Sequence, residues 1–155
     1  MKWEACVVKT FFALILALAL LASAAFAEGR ELSECFGKDI QSAAEEIGGL
    51  TYAEGTEFKD NYTGDALALR GDGTVRLIEL KDAPGGDTLC GVSVGMARKD
   101  VQALMAGCPM PWEYDEEIAW IVRADEKNEL NSELLVVFFD EDGRVNGAWY
   151  RTSGT

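Results

Sequence analysis

Residues 133–151 read ELLVVFFDEDGRVNGAWYR, and this stretch decides the fold. Six consecutive apolar residues, Leu134 to Phe139, make a strong strand signal. Asp140-Glu141-Asp142-Gly143 turns the chain, and Arg144 to Arg151 returns as a second strand. Side chains alternate along a strand, so Leu134, Val136 and Phe138 share one side, and Leu135, Val137 and Phe139 the other. Both sides are apolar, so either both are covered or one is a binding surface.

Toward the N-terminus, Asp125 to Ser132 reads as a charged loop and Ile118 to Arg123 as a strand. Before them lies a helix with Val101, Leu104 and Met105 on one stripe, ended by Gly107 and kept from resuming by Pro109 and Pro111. Its opening, Lys99-Asp100-Val101-Gln102, repeats Lys38-Asp39-Ile40-Gln41 at an offset of 61. The earlier copy starts a helix with an Ile40, Ala43, Ala44, Ile47 stripe, stopped by Gly48-Gly49. Residues 51–64 read as a short irregular strand and a loop. Strands over Ala66–Leu69 and Thr74–Leu80 follow, turned by Gly71-Asp72-Gly73. Asp72-Gly73-Thr74-Val75 returns as Asp142-Gly143-Arg144-Val145 at an offset of 70. The same elements in the same order mark an internal repeat. The expected fold is α+β, with two tandem modules, each a helix packed on an antiparallel β-meander. The first spans 28–82 and the second 91–155, with a Pro/Gly connector at 83–90.

The first 27 residues read as a signal peptide. Lys2 and Lys9 are followed by twelve apolar residues, Phe11 to Ala22, and by Ala25-Phe26-Ala27 before Glu28. Twelve is short of the ~20 needed to span a bilayer. Cys35 lies eight residues past the cut, too far for a lipobox. Cleavage after Ala27 predicts a periplasmic or secreted protein without stable membrane insertion. The chain carries 14 basic and 27 acidic residues, a net charge of −13. Loss of Lys2, Lys9 and Glu4 with the leader makes it −14. Such a charge repels phosphate backbones and excludes nucleic acid as a partner. The chain has no histidine, which removes most zinc and nucleophile–base constellations, and no cofactor or metal motif is present.

Cys6 leaves with the leader. Of Cys35, Cys90 and Cys108, an oxidising compartment favours one disulfide and one free thiol. All three pairings stay open, as does a fully reduced set.

Gly95-Met96-Ala97-Arg98-Lys99-Asp100-Val101-Gln102-Ala103-Leu104 is followed by Gly107-Cys108-Pro109, by Trp112 and Tyr114, by the 134–139 run and by Asp142-Gly143-Arg144-Val145. In that order these features resemble the SmpA/OmlA group, which shares its helix-plus-meander fold with the β-lactamase inhibitor proteins (BLIP-like). The resemblance covers about residues 91–150, and the doubled chain looks like the tandem inhibitor-type arrangement. It implies a non-enzymatic protein-binding module of the cell envelope or secretome.

The candidate partner-binding residues are the aromatics Trp112, Tyr114, Trp120, Phe139, Trp149 and Tyr150, because Trp and Tyr supply most interface hot spots. The other reading places them in the core and between the modules. The acidic cluster Glu113, Asp115, Glu116, Glu117 would steer a basic partner or stand as a solvated loop. The expected function is inhibitor-like binding of an extracytoplasmic protein with a basic surface. A cell-envelope assembly or maintenance factor is the alternative. A carboxylate-pair hydrolase is third, since it needs a deep cleft around two carboxyl groups.

Overall fold

The computed structural model describes residues 29–82 and 86–155. The expected signal peptide, and residues 83–85 of the connector, lie outside the described residues. Eight strands form one antiparallel sheet: β1 (Thr51–Glu54), β2 (Asp60–Thr63), β3 (Leu67–Gly71), β4 (Val75–Leu80), β5 (Trp112–Glu113), β6 (Glu117–Arg123), β7 (Glu133–Phe139) and β8 (Val145–Thr152). Their spatial order is β1-β2-β3-β4-β8-β7-β6-β5. Two four-stranded meanders therefore meet at a seam, where β4 pairs with β8, with Leu77 opposite Arg151 and Leu80 opposite Ala148. Among the described residues two α-helices complete an α+β fold: α1 (Ile40–Ile47) before the first meander and α2 (Arg98–Leu104) before the second.

The apolar run at 134–139 reflects where β7 sits. It is flanked by β6 and β8, and Leu134 to Val137 are all buried. On one side that burial lies under α1 and α2, and on the other under half-buried neighbouring side chains, so the strand has no use for polar alternation. Its two sides nevertheless belong to different clusters. Leu135, Val137 and Phe139 join the main core with Ile40, Ala43 and Ala44 of α1 and Val101 of α2. Leu134 and Val136 join Ala119 in a separate small cluster. Both helices thus cover one face, and the core under them runs across the seam from Leu69 and Ile78 to Trp120 and Tyr150.

Both helices are anchored by the same three backbone bonds. Gly37 N donates to Val75 O (2.9 Å), Val75 N to Lys38 O (2.9 Å) and Ile40 N to Gly73 O (3.1 Å). In the second half Gly95 N donates to Val145 O (2.7 Å), Val145 N to Met96 O (2.9 Å) and Arg98 N to Gly143 O (2.9 Å). The hairpin turns match at the expected offset of 70, but the helix starts match at 58 rather than 61. Asp39 caps α1, its carboxylate accepting from Ser42 N at 2.8 Å. Its sequence match Asp100 lies inside α2, whose own cap, Ala97, has no side-chain bond to give.

Other boundaries also differ from expectation. Residues 51–64 hold two strands, with β1 fully exposed. Trp112–Glu113 adds a short edge strand that the flanking prolines concealed. Leu104 is half-exposed and off the core stripe. The charged loop contains a 3-10 turn at Glu129–Asn131.

A part-buried carboxylate ties down the N-terminal segment. Leu89 and Val92 exchange two backbone bonds of 2.9 Å around Cys90 and Gly91, which sit at φ 52° and 79°. That pair of positive φ angles is the I′ hairpin geometry, unusual for a residue with a side chain such as Cys90. The Glu31 carboxylate receives both turn amides, Cys90 N at 2.8 Å and Gly91 N at 2.9 Å, plus Thr88 Oγ1 at 2.9 Å and Ser33 N at 3.0 Å.

Candidate binding surface

The sheet face that α1 and α2 leave uncovered divides along the seam. By register, the first half presents Asn61, Thr63, Ala68, Arg70, Leu77 and Glu79. Its charges are spent internally: Arg70 Nη2 donates to Glu79 Oε2 at 2.9 Å and Nη1 to Asn61 at 3.4 Å. The second half presents Trp112 from β5, Glu117, Ala119 and Ile121 from β6, Leu134, Val136 and Phe138 from β7, and Gly147, Trp149 and Arg151 from β8, with the Arg151 guanidinium 5.9 Å from the Trp149 ring centroid.

Leu134 and Val136 are buried there because large side chains lie over them. Trp112, Ile121, Phe138 and Trp149, each half-buried, pack against this cluster. Phe138 and Trp149 meet edge-to-face, 4.9 Å between centroids at 72°. Gly147 lies opposite Phe138, and a side chain there would crowd Leu80 O of the neighbouring strand at 3.2 Å. The Trp112 indole donates to Glu117 Oε1 at 2.7 Å, which fixes the ring on the edge strand. The result is an aromatic plate whose outer surface meets water.

The six aromatics expected to bind a partner therefore separate. Trp112 and Trp149 lie on the plate. Trp120, Phe139 and Tyr150 face the helices and are 3%, 3% and 6% exposed, so they serve the core. Burial and the Glu133 carboxylate push the Tyr150 phenol far above its ordinary range, and its hydroxyl donates to Glu133. Tyr114, 65% exposed, stands at the β5–β6 turn. Arg98 pins that turn by donating to Asp115 O (2.6 Å), Tyr114 O (3.1 Å) and Glu113 Oε1 (3.2 Å). Its guanidinium also sits 5.1 Å from the Phe139 ring centroid. Phe138 and Ile121, outside those six, also lie on the plate. The parity of β7 groups Phe138 with Leu134 and Val136, but nothing in the sequence says which parity faces water.

A groove of 560 Å³ adjoins the plate beyond β5 and β7. Its apolar walls are Pro111, Trp112, Ile121, Leu130 and Leu134, and its rim carries Asp125, Glu126 and Glu129. The acidic cluster at 113–117 is largely occupied with the turn: Glu113 holds Arg98 and Glu117 holds the Trp112 indole. Asp140 to Gly143 forms the β7–β8 turn, with Asp140 Oδ1 accepting from Asp142 N and Arg144 N. Cys35, Cys90 and Cys108 are free thiols, so the single disulfide favoured for an oxidising compartment is not formed in this structure. Burial, and then the Glu31 charge, push the Cys90 thiol up to about 11. No helix of the described residues is long and apolar enough to cross a membrane. Among the described residues no group of three His, Cys, Asp or Glu side chains is placed to hold a metal.

No protein family matches the chain by sequence, and neither does any curated protein. Among solved structures, the chain is similar to an extracellular protein containing a SCP domain from Bacillus anthracis str. Ames, with a TM-score of 0.53 at 9% identity. The match covers 81% of this chain and 47% of that one, so the chain spans about half its length. At this identity the likeness is one of fold.

Proposed function

We propose that this chain is an exported, non-enzymatic protein-binding module that docks its partner on the apolar half of the open sheet face. The observation that carries the reading is the plate of Trp112, Phe138 and Trp149, laid over Leu134 and Val136 where no helix of the described residues covers the sheet. Half-buried tryptophans over a packed aliphatic floor resemble the centre of a protein interface, where a few aromatics supply most of the binding energy. The net charge of −13 favours a partner with a basic surface and steers its approach. The resemblance to the SmpA/OmlA group and the inhibitor-type fold supports binding over catalysis, and the 1–27 leader supports export.

The tandem organisation belongs to the same proposal. Two modules, 28–82 and 91–155, each open with a helix and continue as a four-stranded meander. The three matched bonds that tie each helix start to its last hairpin support descent from one repeated unit.

The test is capture of host envelope and culture-fluid proteins by tagged mature protein, compared with a Trp112→Ala/Trp149→Ala double variant at low and high salt. The reading expects one dominant partner, weakened by salt and lost with the double variant, which keeps its circular dichroism spectrum. Equal capture by a folded double variant would remove it.

A further inference from the structure

We propose that the groove beside the plate is the seat of a cationic side chain with apolar neighbours, an Arg or Lys in an exposed segment of the partner. The inference rests on the docking reading and adds the chemistry of one contact. Three features of the groove select this occupant. Its floor and walls are apolar, with Trp112, Ile121 and Leu134 continuous with the plate. Its rim holds three carboxylates and no Lys or Arg. Of these, Asp125 is occupied in accepting from Lys127 N (2.9 Å) and Asn128 N (3.2 Å), whereas Glu126 and Glu129 form no ion pair among the described residues. Arg123 and Lys127 line a neighbouring hollow that shares Asp125 and Glu126 with the groove, and Arg123 pairs with Glu133 at 3.5 Å, which leaves Glu129 as the rim carboxylate facing the groove alone. An aliphatic stem would lie on the Trp112 ring while its charged head reaches Glu126 and Glu129, combining apolar burial with cation–π attraction.

The lip is also built in advance. Leu130 is 63% exposed, yet its loop is ordered by Ser153 N to Ser132 O (2.8 Å), Gly154 N to Leu130 O (3.0 Å) and Asp125 N to Ser132 Oγ (3.0 Å). A side chain at position 154 would meet Leu130 Cβ at 3.1 Å, so the tail is seated closely against the lip. Holding a leucine in water on a fastened loop costs apolar exposure, which an apolar neighbour of the cation would remove.

The test titrates the mature protein with the capped tripeptide Leu-Arg-Leu and with its neutral counterpart Leu-Gln-Leu, following the Trp112 indole and Leu130 methyl resonances. The Arg peptide should shift both saturably and bind roughly fivefold more tightly than the Gln peptide, the scale of two exposed charge contacts. Glu126→Gln/Glu129→Gln should abolish that difference while leaving Leu-Gln-Leu binding unchanged. Equal binding of the two peptides to the unaltered protein, or no saturable shift at either resonance, overturns the assignment. Phe138→Ala separates it from the docking reading: this variant should lose partner capture yet keep the Arg-peptide response. A failed titration with intact capture removes only the groove assignment.

Discussion

Glu31 shows how one side chain can set a local conformation. Its carboxylate stands where the two turn amides of Cys90 and Gly91 converge, and those positive φ angles persist because an acceptor waits for both. Burial alone would raise this carboxyl. The bonds from Ser33, Gly91 and Cys90 outweigh it and hold Glu31 below the ordinary carboxylate range. A folded-state pKa below the unfolded one adds stability that is present above the unfolded value and lost as pH falls through the folded one. Glu31→Gln keeps the shape but not the charge, and should cost about 1–3 kcal/mol at neutral pH, the scale of hydrogen bonds to a charged group. It should also flatten the acid limb of the stability curve. Urea titrations from pH 7 to pH 3 would show this, and parallel curves for the two proteins would not fit. None of it is legible in the sequence, where Glu31 is one acidic residue among 27.

At the scale of elements, the sequence is clearest where a strand is buried on both sides. The bounds of β7 and the Asp140–Gly143 turn follow from apolar run and turn chemistry alone. It is least clear at the edges. β1 has four exposed residues and β5 only two, so neither has a periodicity to read. The helix repeat is visible but misregistered by three residues, nearly one turn. Lys38-Asp39 resembles Lys99-Asp100, whereas the backbone bonds equate Asp39 with Ala97. That equivalence has a consequence. Ala97 has the extended backbone of a cap and no side-chain oxygen, so Ala97→Ser should stabilise the fold by about 1 kcal/mol. The same change at Lys99, inside α2, should not. Thermal denaturation of the two variants compares them directly, and equal effects would undo the register. Gly73 and Gly143, at φ 77° and 70°, mark the matching turns, where a side chain is strained whatever the space.

The whole molecule follows from joining two meanders edge to edge. The seam between β4 and β8 removes two free edges, and the core beneath crosses it without a break. Neither half should fold alone. Residues 28–82 and 91–155, made separately, should show no cooperative thermal transition, while the whole chain unfolds in one step; a cooperative transition in either half would contradict the shared core. Joining the sheets also leaves one long face that α1 and α2 do not cover, with its aromatic side chains on the second half. The sequence shows that both sides of β7 are apolar. It does not show that both helices choose the same side, because that depends on the handedness of two connections and on pairing across the seam. Hence Trp112 and Trp149 lie on the plate, while Trp120, Phe139 and Tyr150 are core.

Trp112, Trp120 and Trp149 are reporters on the two faces. Their indole resonances, followed while the captured partner is titrated in, test the docking proposal directly. Trp112 and Trp149 should shift or broaden on binding, and Trp120, beneath the helices, should stay unchanged. A partner that moves Trp120 or residues of α1 and α2, and leaves Trp149 unperturbed, would contradict the open face as the docking surface.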